Sequence, residues 1–238
     1  MNRWELIERT VVPGTTTEMA LFRRGHELVI RVDGAELMSS QVHGSEDALA
    51  DLAYDVLDQR DGSNPQAARR VLVGGLGMGF TLRAALDPLR ADARVVVAEL
   101  VPGVVAWNEG VLGERAGWPL RDPRTEVRVV DVAKVLKAEP LGYDAILLDV
   151  DNGPDGLTQQ RNDWLYTRAG LDVAHQALRP GGLLTIWSAG ADDRFAVRMR
   201  KAGFAVEDVK VFAHGNRGTR HTLWIGTKQA GRGPRATR

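Results

Sequence analysis

Val71-Leu72-Val73-Gly74-Gly75-Leu76-Gly77-Met78-Gly79-Phe80-Thr81-Leu82-Arg83 decides the fold. A short apolar run ends in alternating glycines, and a helical pattern follows. Glycine there permits positive φ and lets a ligand approach the backbone closely. The helix N-terminus behind the turn supplies a field that favours partial negative charge. In open α/β sheets such a turn, at the carboxyl end of a strand, is where ligands bind. The spacing is G-x-G-x-G. The dinucleotide fingerprint G-x-G-x-x-G needs glycine where Phe80 stands, which makes a nicotinamide enzyme the weaker alternative. A tight strand–helix turn with no ligand would read the same way, so the motif needs support from its surroundings.

Outward from the turn, strand and helix alternate. The pattern predicts strands at 70–73, 94–100, 126–130, 143–149, 183–187, 205–212 and 221–227. Helices are predicted at 81–89, 102–112, 132–136, 164–178 and 192–202. Val95-Val96-Val97 and Ala145-Ile146-Leu147-Leu148 are continuous apolar runs, as expected of parallel strands buried on both faces. The fold class is therefore α/β, with a doubly wound, mostly parallel seven-stranded sheet. A short polar segment joins the last two strands, which predicts an antiparallel hairpin at a sheet edge.

Residues 1–45 read as a small N-terminal β-hairpin unit, 46–229 as the main domain and 230–238 as a disordered basic tail. Glu18–Arg23 and His26–Val32 alternate in hydrophobicity, and Asp33-Gly34 is a strong turn signal before Glu36-Leu37-Met38. Ser45 is a candidate N-cap for a helix carrying Leu49, Leu52, Ala53, Val56 and Leu57 at helical spacing.

Composition narrows the function. Basic and acidic residues number 31 each, so no overall basic excess points to nucleic acid; the Gly/Arg-rich tail is the one local exception. The absence of cysteine excludes disulfides, thiolate catalysis and Cys-ligated zinc. His26, His43, His175, His214 and His221 show no metal-ligand spacing, so no metal is expected. No apolar run approaches the roughly 18–20 residues of a membrane span. Met1-Asn2-Arg3-Trp4-Glu5 carries no signal-peptide pattern, and the expectation is a cytoplasmic protein.

Acids recur at strand ends. Glu99 lies about twenty residues past the glycine turn, where a carboxylate can accept from both ribose hydroxyls. Asp131 follows the third strand and could accept from an adenine amino group; it is equally a good helix N-cap. Asp149 and Asp151 follow the fourth strand in a loop rich in turn residues. A carboxylate at Asp149 could orient or deprotonate an acceptor amine, or it could close an Asx turn. Trp164, beyond that loop, could wall a substrate pocket or simply pack. His43, before the capped helix, is a candidate near the cleft.

Taken together, these segments resemble the spermidine synthase-like (polyamine aminopropyltransferase) branch of the class I S-adenosylmethionine-dependent methyltransferase fold. The glycine turn with Thr81-Leu82-Arg83, Glu99, Asp122-Pro123-Arg124, Asp131, Tyr143 to Asp149, and Leu178-Arg179-Pro180-Gly181-Gly182 carry the likeness. The resemblance implies Gly75, Gly77, Met78 and Gly79 along the donor, Glu99 on its ribose and Asp131 near its adenine. It also implies Asp149 as catalytic aspartate and donor contact, with Asp151 beside it. Gln41 to Glu46 falls on the family's substrate-binding segment, which gives His43 and Glu46, with Trp164, as acceptor-side candidates. The donor is S-adenosylmethionine or decarboxylated S-adenosylmethionine, the partner a small amine or other nucleophile, and a homodimer is the family's common assembly.

The family's turn carries an aspartate where this chain has Met78, and that aspartate holds the donor's terminal amine. A thioether cannot offset the desolvation of an ammonium. On that ground methyl transfer is favoured over aminopropyl transfer, with a non-catalytic nucleoside-binding protein as a further alternative.

Overall fold

A computed structural model describes residues 3–41, 44–60, 69–150, 163–188, 193–214 and 217–229. It begins with an antiparallel meander of β1 (Glu5–Val11), β2 (Glu18–Arg24), β3 (Glu27–Val32) and β4 (Ala35–Ser39), paired in that order. Asp33 and Gly34 both take positive φ, 47° and 86°, as a two-residue hairpin turn demands. β2, β3 and β4 fall where the sequence pattern put strands, and β1 is additional. β1 is mostly exposed and charged along its length, so it lacks the alternation that marks a strand.

Then come α1 (Gly44–Arg60), β5 (Arg70–Gly74), α2 (Phe80–Leu86), β6 (Arg94–Glu99), α3 (Pro102–Glu109) and α4 (Val111–Arg115). After them follow β7 (Thr125–Val129), α5 (Val132–Ala138), β8 (Tyr143–Leu148), α6 (Asp163–Tyr166), α7 (Arg168–Ala177) and β9 (Leu178–Ser188). α8 (Asp193–Lys201), β10 (Phe204–His214) and β11 (Arg217–Lys228) follow among the described residues.

The second sheet has seven strands in the order β10-β11-β9-β8-β5-β6-β7. Five are mutually parallel, and the β10–β11 hairpin pairs antiparallel to β9. The strand order reverses at β5, between β6 and β8, which opens a crevice at their carboxyl ends. Alternate residues of each strand feed two apolar clusters. Val71, Val73, Val95, Val97, Ala145 and Leu147 join α1, α2, α3 and the meander's Leu21, Leu28 and Ile30 on one face. Leu72, Val96, Ile146 and Leu148 join α5, α7 and α8 on the other. The N-terminal unit therefore shares a core with the main sheet.

Two expected helices are divided. The helix expected at 102–112 breaks at Gly110, whose φ and ψ of −112° and −122° are not helical. The one expected at 164–178 breaks at Thr167, whose hydroxyl accepts from Gly170 N at 3.2 Å and so caps α7. Leu178 to Gly182, expected as helix end and loop, is extended and belongs to β9: Leu178 pairs with Tyr143, and the register shifts before Ala145 meets Leu183. Among the described residues no helix is long and apolar enough to cross a membrane.

Candidate functional site

The glycine turn is built by backbone conformations that side chains resist. Gly75, Gly77 and Gly79 take φ of 88°, 50° and 88°. A methyl group at Gly75 would fall 2.5 Å from the carbonyl oxygen of Asp149, and one at Gly77 would meet Met38 Sδ of β4 at 2.8 Å. Glycine here lets the end of β8 and the N-terminal meander both close onto the turn.

Glu99, the last residue of β6, is 8% exposed. One carboxylate oxygen accepts from Leu76 N at 2.9 Å, the other from Val101 N at 2.8 Å. It thus ties the glycine turn to the start of α3. Burial pushes its pKa up, and these backbone donors oppose the rise. Backbone donors at Gly77 and Leu100 also act on the same carboxylate.

Asp149 follows β8, and its amide donates to Gly74 O at 2.9 Å, which fixes it beside the turn. Its side chain accepts a 2.6 Å hydrogen bond from the Thr81 hydroxyl, in the first turn of α2. Desolvation raises the Asp149 pKa, and the Thr81 bond only partly offsets this. A carboxylate with raised pKa, held by a hydroxyl at the crevice, is equipped to take a proton from an incoming amine.

Asp131 caps α5, accepting from Ala133 N at 2.8 Å through one oxygen. The other oxygen and the partial exposure of the residue leave it able to accept a further donor. Glu46 is buried in the first turn of α1. Asp151 and His43 lie outside the described residues.

Two candidates sit elsewhere than expected. Met78 is 1% exposed and packs in the cluster under α1 and α2. Between two glycines of positive φ its side chain turns inward, so the thioether does not line an open donor crevice. Trp164 stacks on Lys137 Nζ at 4.2 Å, in the last turn of α5. Asp131 stands at the opposite end of that helix, which gives Trp164 a packing position.

Sequence reasoning missed the amide of Asn108. It is fully buried, and its nitrogen donates to Gly77 O and Val104 O, both at 2.9 Å. It clamps the turn from α3. Thr81 carried a visible signal, a hydroxyl two residues past the last glycine of the turn. Asn108 carried none, since its role depends on where α3 packs.

A reversed strand order at β5, a glycine turn there, and a strand-end acid on each side place a crevice at the carboxyl edge of a doubly wound α/β sheet. No family model matches the chain. The chain is 30% identical over 172 residues, 68% of its length, to polyamine aminopropyltransferase 2 of Pseudomonas aeruginosa. It spans 43% of that relative's length. A crystal structure of spermidine synthase in complex with the transition-state analogue AdoDATO superposes with a TM-score of 0.73 at 16% identity. That match covers 94% of this chain and 73% of the other. The crystal structure of spermidine synthase from Thermotoga maritima gives the same values, TM-score 0.73, 16% identity, 94% and 73% coverage. More narrowly within that class, this chain has the spermidine synthase-like fold.

Proposed function

We propose that the chain is a transferase that moves an aminopropyl group from decarboxylated S-adenosylmethionine to a small primary amine. One observation carries this reading: Asp149, its pKa raised by burial and its carboxylate held by Thr81, is hydrogen-bonded through its backbone to the strand that ends in the glycine turn. That supports Asp149 as the base for the reacting amine. The likeness to an enzyme named polyamine aminopropyltransferase supports the same choice. The case for methyl transfer rested on Met78 standing where the family's aspartate holds the donor's amine; the likeness to an enzyme named polyamine aminopropyltransferase weighs against it. That preference is therefore revised.

A bound sulfonium donor supplies an electrophilic methylene carbon and a thioether leaving group. The chain's own residues do the rest. Gly75, Gly77 and Gly79 let the adenosyl group lie against backbone. Glu99, at the end of the strand beside the turn, accepts from the ribose hydroxyls, and the second oxygen of Asp131 accepts from the adenine amino group. Asp149 aligns the amine and takes its proton as the new carbon–nitrogen bond forms and the carbon–sulfur bond breaks. Asp151 and Glu46 are candidates for orienting the amine's remaining charge. Location in the cytoplasm and assembly as a homodimer stay part of this proposal.

The test is to incubate the protein with primary amines and either donor, and to identify the nucleoside product by mass spectrometry. Amine-dependent release of 5′-methylthioadenosine from the decarboxylated donor is expected. Formation of S-adenosylhomocysteine from S-adenosylmethionine alone would install methyl transfer instead. Nucleoside binding without either product would leave a binding protein.

A further inference from the structure

The face of the sheet that carries Asp149 continues sideways into two aromatic rings with no assigned role. On β8, β9 and β11 the residues of this face are Ala145 and Leu147, then Leu183, then Leu223 and Ile225, all in one apolar cluster. Trp187 packs against the same cluster. Leu148 pairs with Ile186, so one step further Trp187 comes level with Asp149 on the neighbouring strand. Adjacent strands lie about 5 Å apart. Across the next ladder Trp187 faces Leu223, and His221 stands two residues before it on the same side. The Trp187 and His221 rings meet, with centroids 4.8 Å apart and planes tilted by 34°.

Trp187 Nε1 and His221 Nδ1 are shielded from solvent and have no hydrogen-bond partner among the described residues. Packing alone would be served by apolar rings, and a shielded ring nitrogen without a partner costs stability. Both residues remain partly exposed, and they sit where the sheet's carboxyl edge opens. Burial pushes the His221 pKa down, so its imidazole is neutral at pH 7 and adds no charge that would repel a cation.

We infer that Trp187 and His221 form the acceptor wall of the site and set which amine is taken. The methylene chain of a slender primary amine lies along the indole face, and its nitrogen is thereby directed at Asp149. An indole face suits this task, since it accepts both hydrocarbon and a nearby ammonium. The pair acts on position and specificity and takes no part in bond making. This inference rests on the aminopropyl-transfer reading above.

The experiment compares wild type, Trp187→Phe, Trp187→Leu and Trp187→Ala. Each is titrated calorimetrically with 5′-methylthioadenosine, then, when saturated, with 1,4-diaminobutane; steady-state rates follow with amines of increasing bulk. Trp187→Ala is expected to weaken diamine binding and raise the amine KM by about tenfold or more, with kcat and nucleoside affinity little changed. Its preference should move toward bulkier amines. Trp187→Phe should retain wild-type selectivity, and Trp187→Leu replaces alanine if that variant does not fold. Unchanged amine binding in Trp187→Ala and Trp187→Leu, or no amine binding to nucleoside-saturated wild type, would overturn the wall while leaving the donor site standing. Failure of wild type to bind the nucleoside would remove the functional reading itself.

Discussion

Asp149 and Glu99 are both carboxylates whose pKa desolvation raises, yet their surroundings differ. Asp149 has one hydroxyl partner and borders the crevice; Glu99 is anchored by two amides from different loops. Replacing Asp149 with asparagine keeps an acceptor for Thr81 and removes a carboxylate whose ionisation the fold disfavours. Turnover should fall by about a hundredfold or more, nucleoside affinity should persist, and melting temperature should rise slightly. The pH dependence has a definite sign. Activity should fall as pH drops through a value above the ordinary carboxylate range, while protonation of Asp149 in the same interval favours the folded state. Glu99→Gln should behave oppositely. One of its two oxygens becomes an NH2 that faces an amide donor, which leaves a buried donor unpaired at about 1–3 kcal/mol. Both stability and nucleoside affinity should drop, as thermal melts and calorimetry would show.

At the scale of elements, the strand–turn–helix unit was readable because glycine's conformational demands are local. Gly75→Ala tests that demand against Gly34→Ala. Both glycines have φ near 87°, at 88° and 86°. A methyl at Gly34 meets nothing within 4 Å, whereas at Gly75 it strikes the Asp149 backbone. Gly34→Ala should therefore cost about 1 kcal/mol, the strain of the left-handed conformation alone. Gly75→Ala should cost at least about 2 kcal/mol, roughly 4–8 °C in melting temperature, and should displace Asp149 enough to depress turnover. The buried parallel strands and their terminal acids were equally legible, since continuous apolar runs and a following acid are sequence-local signals. What was not legible depends on tertiary placement. β1 lacks alternation because little of it is buried; Arg179-Pro180-Gly181-Gly182 reads as a loop yet extends β9 because Tyr143 pairs with Leu178. The family resemblance put Met78 at a binding position, but its side chain lies in the core. Trp187 and His221 are 34 residues apart in sequence, and only the β9–β11 register makes them one surface.

The whole molecule divides its polar chemistry between the two edges of the large sheet. The carboxyl edge carries Glu99, Asp149 and the aromatic pair. The amino edge carries a network in which Glu139, just past α5, accepts from Tyr143 and pairs with Arg128 at 2.8 Å and Arg70 at 3.0 Å. Next to it, Asp144 accepts from the Arg70 amide and from Arg179, both at 2.7 Å. These bonds staple the starts of β5 and β8 to the end of α5, opposite the crevice. Burial alone would raise the Glu139 pKa, but the hydrogen bonds from Tyr143, Arg128 and Arg70 outweigh it and hold the value at about 2 instead of 4.5. Ionised Glu139 therefore stabilises the fold fully above about pH 4.5, and that contribution disappears as pH falls toward about 2. The side chains are about a quarter exposed, so solvent screening reduces the gain to about 2 kcal/mol. Glu139→Gln should lower the melting temperature by roughly 4–8 °C at pH 7 and flatten the acid limb of the stability curve. Because this network touches none of the crevice residues, nucleoside affinity and amine selectivity at pH 7 should stay at wild-type values. A Glu139→Gln variant that lost nucleoside binding while still folded would show instead that the two edges of the sheet are coupled.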